Sequence, residues 1–210
     1  MKLLVTGYPP FDDFPLNSTH QLIESMIADP PRALADARGD VIFDIVEFDN
    51  TDTTTQKCTM LASYRKLIDE HEPDLCLFCG QAASRNRVAL ETIAINVFKG
   101  GVIEPEGPAA YWATLPAQDV LIERLKDAGI PAQLSYHAGT HLCNHILYAA
   151  LHEAETRASG MKAGFLHLPM TATQVIECDE NRPFIPLSMT RRALTLSIQH
   201  ILSTPSSAQA

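Results

Sequence analysis

Asp74-Leu75-Cys76-Leu77-Phe78-Cys79-Gly80-Gln81 is the stretch on which the fold turns. Residues 75–79 are apolar without a break, and the run stops at a glycine, too short for a helix of ordinary length. In a strand successive side chains point to opposite faces, so an unbroken apolar run has both faces covered. Sheets covered on both faces are parallel sheets flanked by helices.

Working outward, short β-like runs occur at residues 2–6, 41–48, 132–136 and 163–168, with 74–79 between them. Helical apolar spacing occupies residues 18–28, 53–71, 118–128, 144–157 and 188–202. Ser18 and Ser188 are expected to cap the helices they open, and Gly129 and Gly160 fall just after helical stretches. Alternation of this kind predicts an α/β fold, a three-layer α/β/α sandwich around a mostly parallel twisted sheet. One domain over residues 1–203 and a flexible tail over 204–210 are expected. Residues 7–16, with three prolines, and 99–116, with the only tryptophan, Trp112, break the alternation. The first follows a strand, where α/β folds bind ligands; the second reads equally as a cover, an oligomer contact or a surface loop.

The chain has 210 residues, 46% hydrophobic and 20% charged, enough for one large core. Its formal net charge of -9 argues against nucleic acid, whose phosphates it would repel. No apolar run reaches the length of a membrane-spanning helix, and the apolar start is too short for a signal peptide. A cytoplasmic protein is expected, and the five cysteines, odd in number, read as free thiols.

Cys143 stands where a strand gives way to an amphipathic helix, with Ile146, Leu147, Ala150 and Leu151 at helical spacing. A thiol at a helix N-terminus meets unpaired N–H groups and the positive end of the dipole, which favours thiolate. The plain alternative is a buried small hydrophobe. Cys76 and Cys79 form a Cys-x-x-Cys spacing, but within a strand they face opposite ways and cannot converge on a metal. A thiol nucleophile needs a base, and His167, at the end of the 163–168 run, is placed for it; a core histidine bonded to a carbonyl is the alternative. His137, His141 and His145 raise a metal site, though no single helix aligns all three. Glu91, an acid inside the apolar run 89–96, must be paired, either as the group that orients the imidazole or in a salt bridge with Arg85 or Arg87.

These residues resemble pyroglutamyl peptidase I, a family of cysteine peptidases that remove N-terminal pyroglutamate. The resemblance lies in Leu4-Val5-Thr6-Gly7 with Phe11 and Asn17; Gly80-Gln81-Ala82 through Arg85 to Glu91 and Ala94-Ile95-Asn96; Gly107-Pro108-Ala109-Ala110-Tyr111-Trp112; Ala138-Gly139-Thr140 with Cys143-Asn144-His145; and Gly164-Phe165 with His167 and Pro169. It implies a Cys143–His167–Glu91 triad, a reaction without metal or other cofactor, a peptide or small amide substrate, and a homotetramer. It also implies that Tyr8, Phe11 and Gln81 hold the lactam ring.

The chain departs from the family pattern at four positions. Asp12 and Asp13 replace two glycines of the first loop, His141 replaces an aromatic, and Gly101 stands where the family carries an arginine. Those changes leave two alternatives open: a related thiol amidase with changed acyl or lactam specificity, and a catalytically silent binding homologue. A serine hydrolase is disfavoured, since no Gly-x-Ser-x-Gly elbow occurs.

Overall fold

A computed structural model describes residues 1–11, 14–35, 41–49, 51–52, 55–178 and 181–204. Asp12, Asp13 and residues 205–210 of the expected tail lie outside the described residues. In chain order the elements are β1 (Leu3–Gly7), α1 (Ser18–Ala28), β2 (Val41–Ile45), α2 (Gln56–His71), β3 (Leu75–Gln81) and β4 (Val88–Glu91). Four short strands follow: β5 (Ile93–Ile95), β6 (Val97–Phe98), β7 (Gly101–Val102) and β8 (Ala110–Trp112). The remainder is α3 (Gln118–Asp127), β9 (Ala132–Ser135), α4 (Leu142–Thr156), β10 (Lys162–Leu168), α5 (Ala172–Cys178) and α6 (Leu187–Ser203).

Six strands form one sheet in the order β2-β1-β3-β10-β4-β9. All neighbouring pairs are parallel except β10 with β4, so the expected mostly parallel sheet is present. The alternation along each strand sorts the core into two layers. Leu3, Val5, Leu75, Leu77, Cys79, Val88, Leu90, Leu166 and Leu168 pack on one face with α1, α3 and α6. Leu4, Cys76, Phe78, Ala163 and Phe165 pack on the other with α2 and α4. Cys76 and Cys79 thus lie in opposite layers, as their spacing predicts.

Several expectations need correction. The 89–96 run is two strands, β4 and β5, and β4 joins the main sheet as its one antiparallel partner of β10. The 41–48 run stops pairing as a strand at Ile45, although Val46 N–H still donates to Gly7 C=O at 3.0 Å. Asn17, not Ser18, caps α1: its side chain accepts from the N–H groups of Thr19 and His20. Ser188 lies inside α6, whose cap position is Pro186. Residues 99–116 contain β7 and β8, and Trp112 on β8 is exposed.

Candidate active site

Alternation decides which side chains share a face near the carboxyl end of β3 and β10. His167 lies two residues after Phe165, so both point toward α4. Glu91 pairs directly with Phe165 across β10 and β4, which puts its carboxylate on that same face. Gly80 on β3 pairs with His167 from the other side. A Cβ at Gly80 would stand 2.5 Å from Phe165 Cζ and 3.1 Å from Cys143 Sγ. The missing side chain is the space that the phenylalanine ring and the sulfur occupy.

Cys143 is the second residue of α4, half-buried, in a first turn whose N–H groups have no partner within the helix. Asn144, fully buried, pins that turn: its Oδ1 accepts from Ile95 N–H, and its Nδ2 donates to Ile95 C=O and Val97 C=O, each at 2.9 Å. Lys99 N–H adds a bond to Thr140 C=O at 2.8 Å. Asn96 braces the next turn, accepting from the N–H groups of Ile103 and Glu104.

His167 Nδ1 lies 2.7 Å from Glu91 Oε1, and Arg85 Nη1 reaches that same oxygen at 2.7 Å. The carboxylate is 0% exposed and the histidine 5%. Beside an ionised carboxylate Nδ1 carries the proton, which leaves Nε2 as the nitrogen open to the thiol. Arg85 Nη2 also donates to Ser135 Oγ at 3.3 Å and His137 C=O at 3.1 Å. Of the two arginines considered for Glu91, the structure pairs Arg85; Arg87 bonds to Asn86. Among the described residues no hydrogen bond joins Cys143 to His167; the two groups meet around Gly80 and Phe165.

The electrostatics correct one expectation. Burial pushes the Cys143 thiol up to about 12, and the Glu91 charge adds to it, outweighing the backbone N–H and Arg85, which act the other way. The helix start does not by itself produce a thiolate here. Burial also holds His167 below its ordinary value, with Glu91 opposing and Arg85 assisting. For Glu91, burial raises the carboxyl, but His167, Ser135 and Arg85 together bring it below the usual carboxylate range. The directions thus run against the charged form for the thiol and the imidazole and toward it for the carboxylate.

Of the three residues expected to hold a ring, Tyr8 is the one that the electrostatics tie to the sulfur. Tyr8 is buried, and its hydroxyl is pushed far above its usual value by burial first and then by Cys143 and Cys79, which places it within electrostatic reach of the sulfur. Tyr8 and Phe11 each pack edge-on against Phe48, with ring centroids 6.1 Å apart in both pairs. Phe48, hidden in the sequence as the end of an apolar run, completes that aromatic wall. Gln81 Oε1 accepts from Ser18 N–H at 2.8 Å and from Gln174 Nε2 at 2.7 Å. Gln174 carries no local sequence signal, standing in a polar stretch after Pro169.

The three histidines near the nucleophile have separate engagements. His137 Nδ1 accepts from Gly139 N–H, His141 stacks on Phe98, and His145 meets Phe98 edge-on. Among the described residues no group of three or more histidines, cysteines and acids is gathered as a metal would require. Gly101, where the family arginine would fall, is exposed on β7.

A helix-borne thiol beside an imidazole that a buried carboxylate orients, on a two-face-covered α/β sheet, is the equipment of a cysteine peptidase. The comparisons carry this to a family. The Pyroglutamyl peptidase profile matches residues 1–204, and the chain belongs to that family of cysteine-type peptidases. It is 32% identical to a pyrrolidone-carboxylate peptidase of Thermococcus kodakarensis, over 96% of both chains. The fold superposes on Bacillus amyloliquefaciens pyroglutamyl peptidase I with a TM-score of 0.82, 27% identity and 97% of each chain covered. A variant of the Pyrococcus furiosus pyrrolidone carboxyl peptidase matches at TM-score 0.80 and 26% identity, covering 96% of this chain and 98% of that one.

Proposed function

We propose that this chain removes N-terminal pyroglutamate from peptides, with Cys143 as nucleophile, His167 as general base and acid, and Glu91 as the group that orients the imidazole. The observation that carries the proposal is the convergence around Gly80, where the sulfur, the histidine and the 2.7 Å His167–Glu91 bond share one face of the sheet.

His167 Nε2 takes the Cys143 proton as sulfur attacks the exocyclic carbonyl carbon of the pyroglutamyl residue. The oxyanion forms beside the N–H groups that open α4, which have no partner within the helix. His167 then gives the proton to the departing amine, the C–N bond breaks, and a thioester remains on Cys143. Water, deprotonated by His167, hydrolyses that thioester and returns the proton to sulfur. Glu91 holds the imidazolium in place at each step without itself taking the proton. Tyr8, Phe11 and Phe48 offer neutral walls suited to an uncharged lactam.

The same reading includes cytoplasmic location and a homotetramer, the latter checked by light scattering. No described helix is long and apolar enough to cross a membrane. The test of function is hydrolysis of a pyroglutamyl chromogenic amide. Turnover is expected, with loss in Cys143→Ser and after alkylation of Cys143. A folded protein that leaves this amide intact, or that still cleaves it once Cys143 is alkylated, refutes the proposal.

A further inference from the structure

We propose that Gln174 is a specificity-determining residue that acts through Gln81, fixing its amide so that the Nε2 end is left to donate to the carbonyl of the lactam ring. The inference rests on the pyroglutamyl reading above and concerns how that site selects its ring.

A glutamine amide has a donor end and an acceptor end, and which end faces a ligand decides what it recognises. Backbone groups that can play only one role settle the question here. Thr171 N–H can only donate, so the atom 2.9 Å from it is Gln174 Oε1. Leu16 C=O can only accept, so the atom 2.8 Å from it is Gln174 Nε2. The second hydrogen of that nitrogen goes to Gln81 Oε1 at 2.7 Å, which also takes Ser18 N–H at 2.8 Å. Neither amide can flip without setting donor against donor or acceptor against acceptor.

This accounting leaves one member over. Gln81 Nε2 is buried and has no partner among the described residues, in a side chain 7% exposed beside a Gln174 that is 1% exposed. An unmet buried donor is costly, and folds rarely keep one without a use. Its position gives the use. Gln81 ends β3 one residue past Gly80, against which the Cys143 sulfur lies; alternation turns its side chain to the other face, so its amide meets a ligand over the end of the strand. Its other neighbour, Ser18, opens α1 directly after the loop bearing Tyr8 and Phe11. A ligand acceptor entering between that loop and the sulfur satisfies the donor. A neutral ring carrying a carbonyl does so, and a ring without one leaves the cost in place. Thr171 fixes the start of α5 in turn, donating through Oγ1 to Gln21 on α1 at 2.8 Å.

The test reads protection of Cys143 from iodoacetamide, followed by mass spectrometry of its peptide, and needs no turnover. The probes are 2-pyrrolidinone and 2-pyrrolidinethione, whose sulfur is a weak acceptor. In the unaltered protein the oxo ring should protect at a concentration about tenfold lower than the thio ring, the worth of one hydrogen bond. In Gln174→Met and Gln174→Glu that ratio should fall to within about threefold, with protection by the thio ring little changed. Gln81→Glu, which exchanges the donor for an acceptor without touching α5, should do the same. Retention of the tenfold ratio in any folded variant overturns the proposal, as does equal loss of protection by both rings. If the unaltered protein neither cleaves pyroglutamyl amide nor is protected by 2-pyrrolidinone, the pyroglutamyl reading itself fails. Cleavage and protection with a ratio that ignores position 174 defeat the Gln174 inference alone.

Discussion

Replacing Arg85 by methionine removes the cation from a carboxylate that has no access to water. Arg85 Nη1 lies 2.7 Å from Glu91 Oε1, Glu91 is 0% exposed, and the arginine side chain is 24% exposed. Breaking a buried pair by removing one partner costs about 3–5 kcal/mol. The remaining His167 bond and the partial exposure of the arginine place this case at the lower end, about 3 kcal/mol. For a chain of this size that corresponds to a fall in Tm of roughly 6–12 °C. The second effect is on pH. Arg85 helps to hold His167 below its ordinary value, opposing Glu91, while burial is the largest influence. Without the cation the His167 pKa rises, so the neutral base is lost at a higher pH and the acid limb of kcat/KM moves upward. Arg85→Lys keeps the charge and loses the fork to Ser135 and His137, so its acid limb should stay near that of the parent while its Tm falls. The assay is calorimetry together with pH profiles of pyroglutamyl amide hydrolysis. An acid limb in Arg85→Met that stays put or moves to lower pH refutes the electrostatic role, and an unchanged Tm refutes the energetic one.

Two further outcomes follow from distances and burial. Gly80→Ala puts a methyl 2.5 Å from Phe165 Cζ and 3.1 Å from the sulfur; overpacking should cost about 1–3 kcal/mol in urea unfolding and lower turnover by displacing Cys143. His145 is held down at about 4, chiefly by burial and then by Lys57 and Arg65, so the unfolded chain binds its proton first as pH falls. Stability should therefore decline between pH 6.5 and about 4, and His145→Gln should flatten that decline in thermal scans.

The central strands were legible because burial on both faces leaves a signature in consecutive residues, as 75–79 and 163–168 show. The direction and company of β4 were not, because pairing with β10 is decided by residues 76 positions away, Glu91 and His167 among them. Cys143 and His167 could be picked out from where elements begin and end, and Glu91 from an acid in apolar surroundings. The state of the thiol could not, because burial and the Glu91 charge, both tertiary, outweigh the local helix start. Phe48 and Gln174 were invisible for a similar reason: each acquires its role from partners supplied by distant segments.

The position of β10 bears on how the enzyme comes into being during synthesis. Of the described strands it is the last to leave the ribosome, yet it occupies the middle of the sheet, between β3 and β4. Earlier segments can gather helices and the β2-β1-β3 group, but β4 and β9 have no seam to join until residues 162–168 arrive. Those residues carry the histidine itself. On the proposed mechanism a truncated or half-made chain thus holds the cysteine without its base, and hydrolytic competence appears only when the whole sheet has closed.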